Sequence, residues 1–190
     1  MRRGFKAQAE RLAASARAAL GLAEHAPLSP WTFASHLDIL VWEPEDLDLD
    51  PSDLAQLTVH DPDSWSGVSV RVGERIGVIL NSAHPPTRRT NTLMHEIAHV
   101  QLRHAPSHVH MTEEGLLLVS EYPKDLEEEA DWLAGALLLP RSALLLHRGS
   151  GSAVYEIARH FGVSDQLCNW RLRMTGVDRQ LGVGRGSPFS

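Results

Sequence analysis

The chain is short of cysteine, of positive charge and of long apolar runs, and each shortage excludes something. One cysteine, Cys168, stands among 190 residues, so no intramolecular disulfide can form and a reducing compartment suits the chain. Cys168 lies in an apolar helical stretch and reads as a core residue rather than a nucleophile. The net charge is −6, which argues against tight non-specific nucleic-acid binding by the whole chain. No segment approaches the length of a membrane span. After Arg2-Arg3 the apolar residues are interrupted by Lys6, Gln8, Glu10, Arg11 and Arg17, which is unlike a secretory leader. A cytoplasmic protein without a membrane partner is expected. Hydrophobic content of 43% is ordinary for a globular chain of one domain, or of one domain and a small appendage.

Against that background stands His95-Glu96-Ile97-Ala98-His99, an H-E-x-x-H. On a helix, residues four apart lie on one face, so both imidazoles can point at one cation. Zinc accepts two neutral imidazoles, and a third protein ligand with a water completes a catalytic tetrahedron. Glu96, one step round the helix, can reach that water without being a ligand, as a general base must. With 11 histidines in the chain, such a motif arises by chance with a probability of about 0.04, so its surroundings decide. Leu93, Ile97, Val100 and Leu102 give the helix an apolar back, Thr87 or Thr90 can cap its start after Pro85-Pro86, and Ala105-Pro106 ends it.

The third ligand is not in the extended form of the motif, because Leu102 and Ala105 stand where Gly and His would be. His104 is one residue short and points elsewhere on a continuous helix. His104, His84, His108 and His110 therefore read as loop or surface histidines. A carboxylate from a later helix is the other source. The stretch from Asp125 to Pro140 repeats Leu126, Ala130, Leu133, Ala134, Leu137 and Leu138 at helical spacing. Glu127 and Asp131 share one side of it. Glu127 can bind the metal while Asp131 accepts the second ring N–H of a ligand histidine and fixes its tautomer. Glu129, about 200° round the wheel from Glu127, reads as facing solvent. The small residues Ala130, Ala134, Gly135 and Ala136 permit close packing on the first helix.

These two stretches together resemble the ImmA/IrrE family of metallopeptidases, whose H-E-x-x-H helix is followed about thirty residues on by E-x-x-A-D-x-[F/L]-A-x-x-L-L-x-P. The matching residues are His95, Glu96 and His99, then Glu127, Ala130, Asp131, Leu133, Ala134, Leu137, Leu138 and Pro140. The departures, Leu133 and Leu139 where Phe and Met are frequent, are packing changes. The resemblance covers roughly residues 25–175. It implies an α+β, zincin-like fold and a bound Zn2+, with manganese able to use the same ligands. It also implies cleavage of a helix-turn-helix transcriptional repressor.

Elsewhere the chain reads as mostly helical around a small antiparallel sheet. Residues 5–20 form an amphipathic helix, Ser29-Pro30 opens another to about Leu37, and Asp38–Trp42 is a short strand. Six acids between Glu43 and Asp53 lack the Gly and Glu of a calcium loop and read as a solvated loop. Val68–Val72 and Arg75–Leu80 flank Gly73-Glu74 as a hairpin, whose strand offers an edge to an extended substrate. Residues 105–124, with His108, His110, Glu113, Glu114 and Tyr122, read as a long connection bordering the cleft, where Tyr122 is a candidate oxyanion donor. Ala153–His160 and Ser164–Thr175 make a helix-turn-helix-like pair. Direct DNA binding by this pair, through Arg159, His160, Arg171 and Arg173, competes with a structural role. The weak basic footprint favours the structural one. The expected organisation is a peptidase unit over 1–147, the helical pair over 148–176 and a disordered tail over 177–190. The competing function is a regulator that binds DNA or a repressor without cutting it, with a structural or sensory zinc.

Overall fold

The computed structural model describes residues 1–72, 75–104, 108–111 and 117–183. It is mostly helical with one five-stranded sheet, an α+β arrangement. Helix α1 (Phe5–Ala19) buries Phe5, Ala9, Ala13 and Ala16, a spacing of three and four that leaves its charged residues outside, with one exception. Arg17 is buried, donating to the carbonyls of Ala26, Ala13 and Leu137. Burial pushes its guanidinium down to about 10 against the raising effect of Glu10. Helix α2 (Pro30–His36) starts at a Ser29 cap, which accepts from the Thr32 amide.

Strand β1 (Leu40–Trp42) leads into the acidic region. Part of that region is helical rather than loop, with a short turn at Pro44–Asp46 and helix α3 (Pro51–Ala55). Prolines at both starts already carry a helical φ, which composition alone obscured. Strands β2 (Gly67–Val72) and β3 (Arg75–Leu80) pair antiparallel, with Val72 opposite Arg75. The two residues between them lie outside the described part. Helix α4 (Pro86–Leu102) carries the H-E-x-x-H motif. Strands β4 (His108–Met111) and β5 (Leu117–Glu121) follow, so the long connection expected here contains a second hairpin. Its Glu113 and Glu114, and the side chains of His108 and His110, lie outside what is described.

The sheet order is β1-β3-β2-β5-β4. The expected antiparallel sheet is mixed, because β1 joins β3 in parallel, Val41 opposite Val78. Gly77 makes that junction possible: the Trp42 ring occupies the space a Cβ would need. Helix α5 (Lys124–Leu138) packs against α1 and α4 and buries Ala130, Trp132, Leu133, Ala134, Ala136, Leu137 and Leu138. Gly135 faces the helix pair instead of α4. A Cβ there would lie 2.8 Å from both Arg171 and Trp170.

Helices α6 (Arg141–Gly149), α7 (Val154–Phe161) and α8 (Asp165–Thr175) follow, α8 capped by Ser164 as the sequence suggests. Ile157, Phe161, Cys168 and Leu172 join the same buried cluster as Leu93 and Leu133. Arg171 is fully buried, donating to the Leu139 carbonyl and Glu10. The tail expected from 177 begins instead with helix α9 (Val177–Leu181), anchored by buried Val177 and started by left-handed Gly176. Residues 184–190 lie outside the described part. Among the described residues no helix is long and apolar enough to cross a membrane.

Candidate metal centre

Helix α4 begins at Pro86 with Pro85 as its cap, so neither Thr87 nor Thr90 serves. It ends at Leu102, earlier than the Ala105-Pro106 stop, because Arg103 turns left-handed at φ 54. One face buries Leu93, Met94, Ile97 and Ala98, and that packing holds His95, Glu96 and His99 where the helix meets α5.

The sequence places Glu127 and Asp131 on one side of α5, and the two helices bring that side to the motif. His95 Nε2 and His99 Nε2 are 3.0 Å apart. Glu127 Oε2 lies 3.1 Å from the first and 3.7 Å from the second. A tetrahedral zinc with ligand bonds near 2.05 Å spaces its donors at about 3.3 Å. These three atoms have that spacing, and two imidazoles with a carboxylate are the donor set zinc takes. Two ring nitrogens facing each other at 3.0 Å also need a cation or a shared proton between them. The residues fit a metal ion.

Asp131 Oδ1 lies 2.9 Å from His95 Nδ1, so the other ring nitrogen of His95 has a carboxylate acceptor. Burial lowers the pKa of His95, but Asp131 and the charges of Glu96 and Glu127 outweigh it and the net shift is upward. His99 goes the other way. Burial, reinforced by His95 and His104, pushes it down to about 3, so its imidazole is neutral and keeps a lone pair. Glu96 accepts from the hydroxyl of Ser69 on β2. Burial raises the Glu96 carboxyl, opposed by Ser69 and His95 and assisted by Glu127.

Ser69 was not visible in the sequence as part of this centre. Tyr122, a candidate there only as an oxyanion donor, stacks on His99 with ring centroids 3.7 Å apart. Burial, with the nearby Glu96 and Glu127 charges, pushes its phenol up to about 12, so it keeps its proton at neutral pH. His104 is not a surface residue: its side chain is 4% exposed, and its Nδ1 lies 3.1 Å from Nδ1 of His99. The left-handed Arg103 turns it back toward the helix it has just left. Glu129 does not face solvent. It is 1% exposed and accepts from the Arg2 backbone amide and, bidentately, from the Arg2 guanidinium. Burial raises the Glu129 carboxyl, but the bonds from Arg2 prevail and the net shift is downward. The signal available for Arg2 was a pair of arginines, Arg2-Arg3, ahead of the first helix, which by itself carries nothing. His84 is likewise buried rather than superficial, its Nε2 3.0 Å from the Pro62 carbonyl. Asp131 also lines a groove of about 520 Å3 with Thr87, Asn91, Leu167 and Trp170, which brings α8 to the border of the site.

The sequence pattern of the peptidase M78 family, described as the IrrE N-terminal-like domain, matches residues 47–173. That span includes both helices of the metal centre. No curated protein matches the chain.

Proposed function

Because the chain belongs to the IrrE N-terminal-like family of metallopeptidases, we propose that it is a zinc-dependent endopeptidase. Its substrate in this reading is a helix-turn-helix transcriptional repressor, whose cleavage releases genes of a stress response or a mobile element. A metallopeptidase-type function acting on protein follows from the family; the zinc, the endoproteolysis and the repressor are our reading. The observation that carries it is the convergence of His95, His99 and Glu127 beside Glu96.

His95, His99 and Glu127 would hold the metal, and Asp131 fixes the tautomer that leaves Nε2 of His95 free. Zinc, when bound, supplies a Lewis acid for the scissile carbonyl and lowers the pKa of a bound water to about 7. Glu96 takes a proton from the attacking water at its carboxylate and returns it to the leaving nitrogen as the C–N bond breaks. Ser69 holds one Glu96 oxygen and so leaves the other for that proton. Tyr122, protonated throughout the neutral range, keeps an O–H donor beside His99. In this reading the pair α7–α8 supports the peptidase unit, since Arg171, one of its four basic candidates, is buried against Leu139 and Glu10.

The test is to incubate zinc-loaded protein with the repressor encoded nearest to it and to look for a discrete fragment. Cleavage is expected with the wild type and not after chelation or with Glu96→Gln, which retains zinc. A repressor left intact by the loaded wild type, but shifted by it on a native gel, would replace this reading with non-proteolytic binding.

A further inference from the structure

We propose that His104, Glu129 and Arg2 are positioning residues of the metal centre, a brace that runs from the segment before α1 to the metal-facing imidazole of His99. The inference rests on the proposed metal site and adds three residues to it. If Nε2 of His99 keeps its lone pair for a cation, its proton sits on Nδ1. That nitrogen faces Nδ1 of His104 at 3.1 Å, so His104 accepts there and carries its own proton on Nε2. Among the described residues Nε2 of His104 has no hydrogen-bond partner, and Glu129 Oε2 lies 3.8 Å from it. Arg2 closes the chain, with its amide and guanidinium on both Glu129 oxygens at 2.6 to 3.0 Å.

His95 has its carboxylate directly, in Asp131. His99 has one at a single remove. A carboxylate 1% exposed on a helix otherwise buried through apolar side chains is costly unless it is paired. Its position opposite His104 gives that cost a purpose. Outer partners of this kind orient a ligand imidazole, and their loss typically weakens metal binding by about ten- to a hundredfold.

The experiment titrates the full-length apo protein with Zn2+ against a chromophoric chelator and records the visible spectrum of the Co2+ form. His104→Phe is expected to weaken zinc binding by about tenfold or more. Arg2→Ala keeps the backbone amide on the buried Glu129 but removes its counter-charge, and is expected to weaken it by about threefold or more and to shift the Co2+ band, with partial recovery in Arg2→Lys, which keeps the charge. Zinc affinities within about twofold of wild type, together with an unchanged Co2+ spectrum in both His104→Phe and Arg2→Ala, would overturn the brace. If His104→Phe does not fold, Arg2→Ala and Arg2→Lys decide. A wild type that binds zinc no better than His95→Ala would remove the metal site and the brace together. That result is distinct from tight wild-type binding with indifferent variants.

Discussion

The Ser69 hydroxyl, on the central strand β2, donates to the Glu96 carboxylate on α4. That bond ties the general base of the proposed reaction to the sheet rather than to its own helix. Ser69 sits opposite Val78 on one side and Val119 on the other, so its position is fixed by two strand pairings. Without the hydroxyl, Glu96 loses a buried hydrogen bond of about 1 to 2 kcal/mol. If that loss falls on the transition state, Ser69→Ala turns over about five- to thirtyfold more slowly. Zinc affinity should be unchanged and Ser69→Thr should retain most of the rate. Steady-state cleavage with the repressor that the wild type cuts, beside a chelator titration, checks this. A fall in zinc affinity that matches the fall in rate would place Ser69 with the metal instead.

Metal binding should also appear as stability. Zinc held at a hundred times its dissociation constant stabilises the folded state by about 2.7 kcal/mol. For a chain of this size that raises the midpoint of unfolding by about 5 to 10 °C. His95→Ala, His99→Ala and Glu127→Ala should each abolish the zinc-dependent rise. A Glu127→Ala protein with the full rise would mean that the third ligand is elsewhere. Differential scanning fluorimetry with and without zinc and chelator measures it.

The two metal-bearing helices were legible because a 3.6-residue period and two spaced motifs fix which residues share a side. Glu127 and Asp131 face the motif as that period requires. The same wheel placed Glu129 on the opposite side, and it is there. What the wheel cannot show is that Arg2 and His104 cover that side, since both contacts are made by segments distant in the chain or beyond the helix end. His104 was misplaced by one conformational detail. A continuous helix would carry it away from His99, but a left-handed residue at Arg103 reverses the chain. Arginine gives no warning of such a turn, where glycine or asparagine would. Ser69 was illegible for a third reason, because only the cross-strand register decides what a strand side chain meets.

Gly135 marks the closest approach of α5 to the helix pair. An alanine there gains about 1 kcal/mol of helix propensity. Its Cβ, however, would lie 2.8 Å from the Trp170 ring and from Arg171 Cδ. Arg171 cannot move aside freely, since it is bonded to Leu139 and Glu10. Overpacking of this kind costs about 1 to 3 kcal/mol and outweighs the propensity. Gly135→Ala should therefore be destabilised by about 1 kcal/mol on balance, read as a lower urea midpoint at unchanged m-value. An increase in the midpoint would show that α8 can shift outward without cost.

His147 on α6 gives a pH dependence separate from the metal centre. Its ring lies 5.0 Å from that of His160 and 5.5 Å from that of Phe161, by centroid. Burial lowers its pKa, and the charges that His160 and His25 can carry lower it further. The folded state therefore binds this proton less readily than the unfolded chain, whose histidine titrates near 6.5. Stability from the neutral ring is present in full above that value and is lost as the pH falls through it toward the folded pKa. The wild type should lose stability as the pH falls below about 6.5, and other histidines contribute to that loss as well. His147→Gln carries no titrating ring, so the part due to His147 should vanish and the variant's urea midpoint should fall less steeply over the same interval. Equal slopes in both proteins would mean that the ring is as easily protonated folded as unfolded.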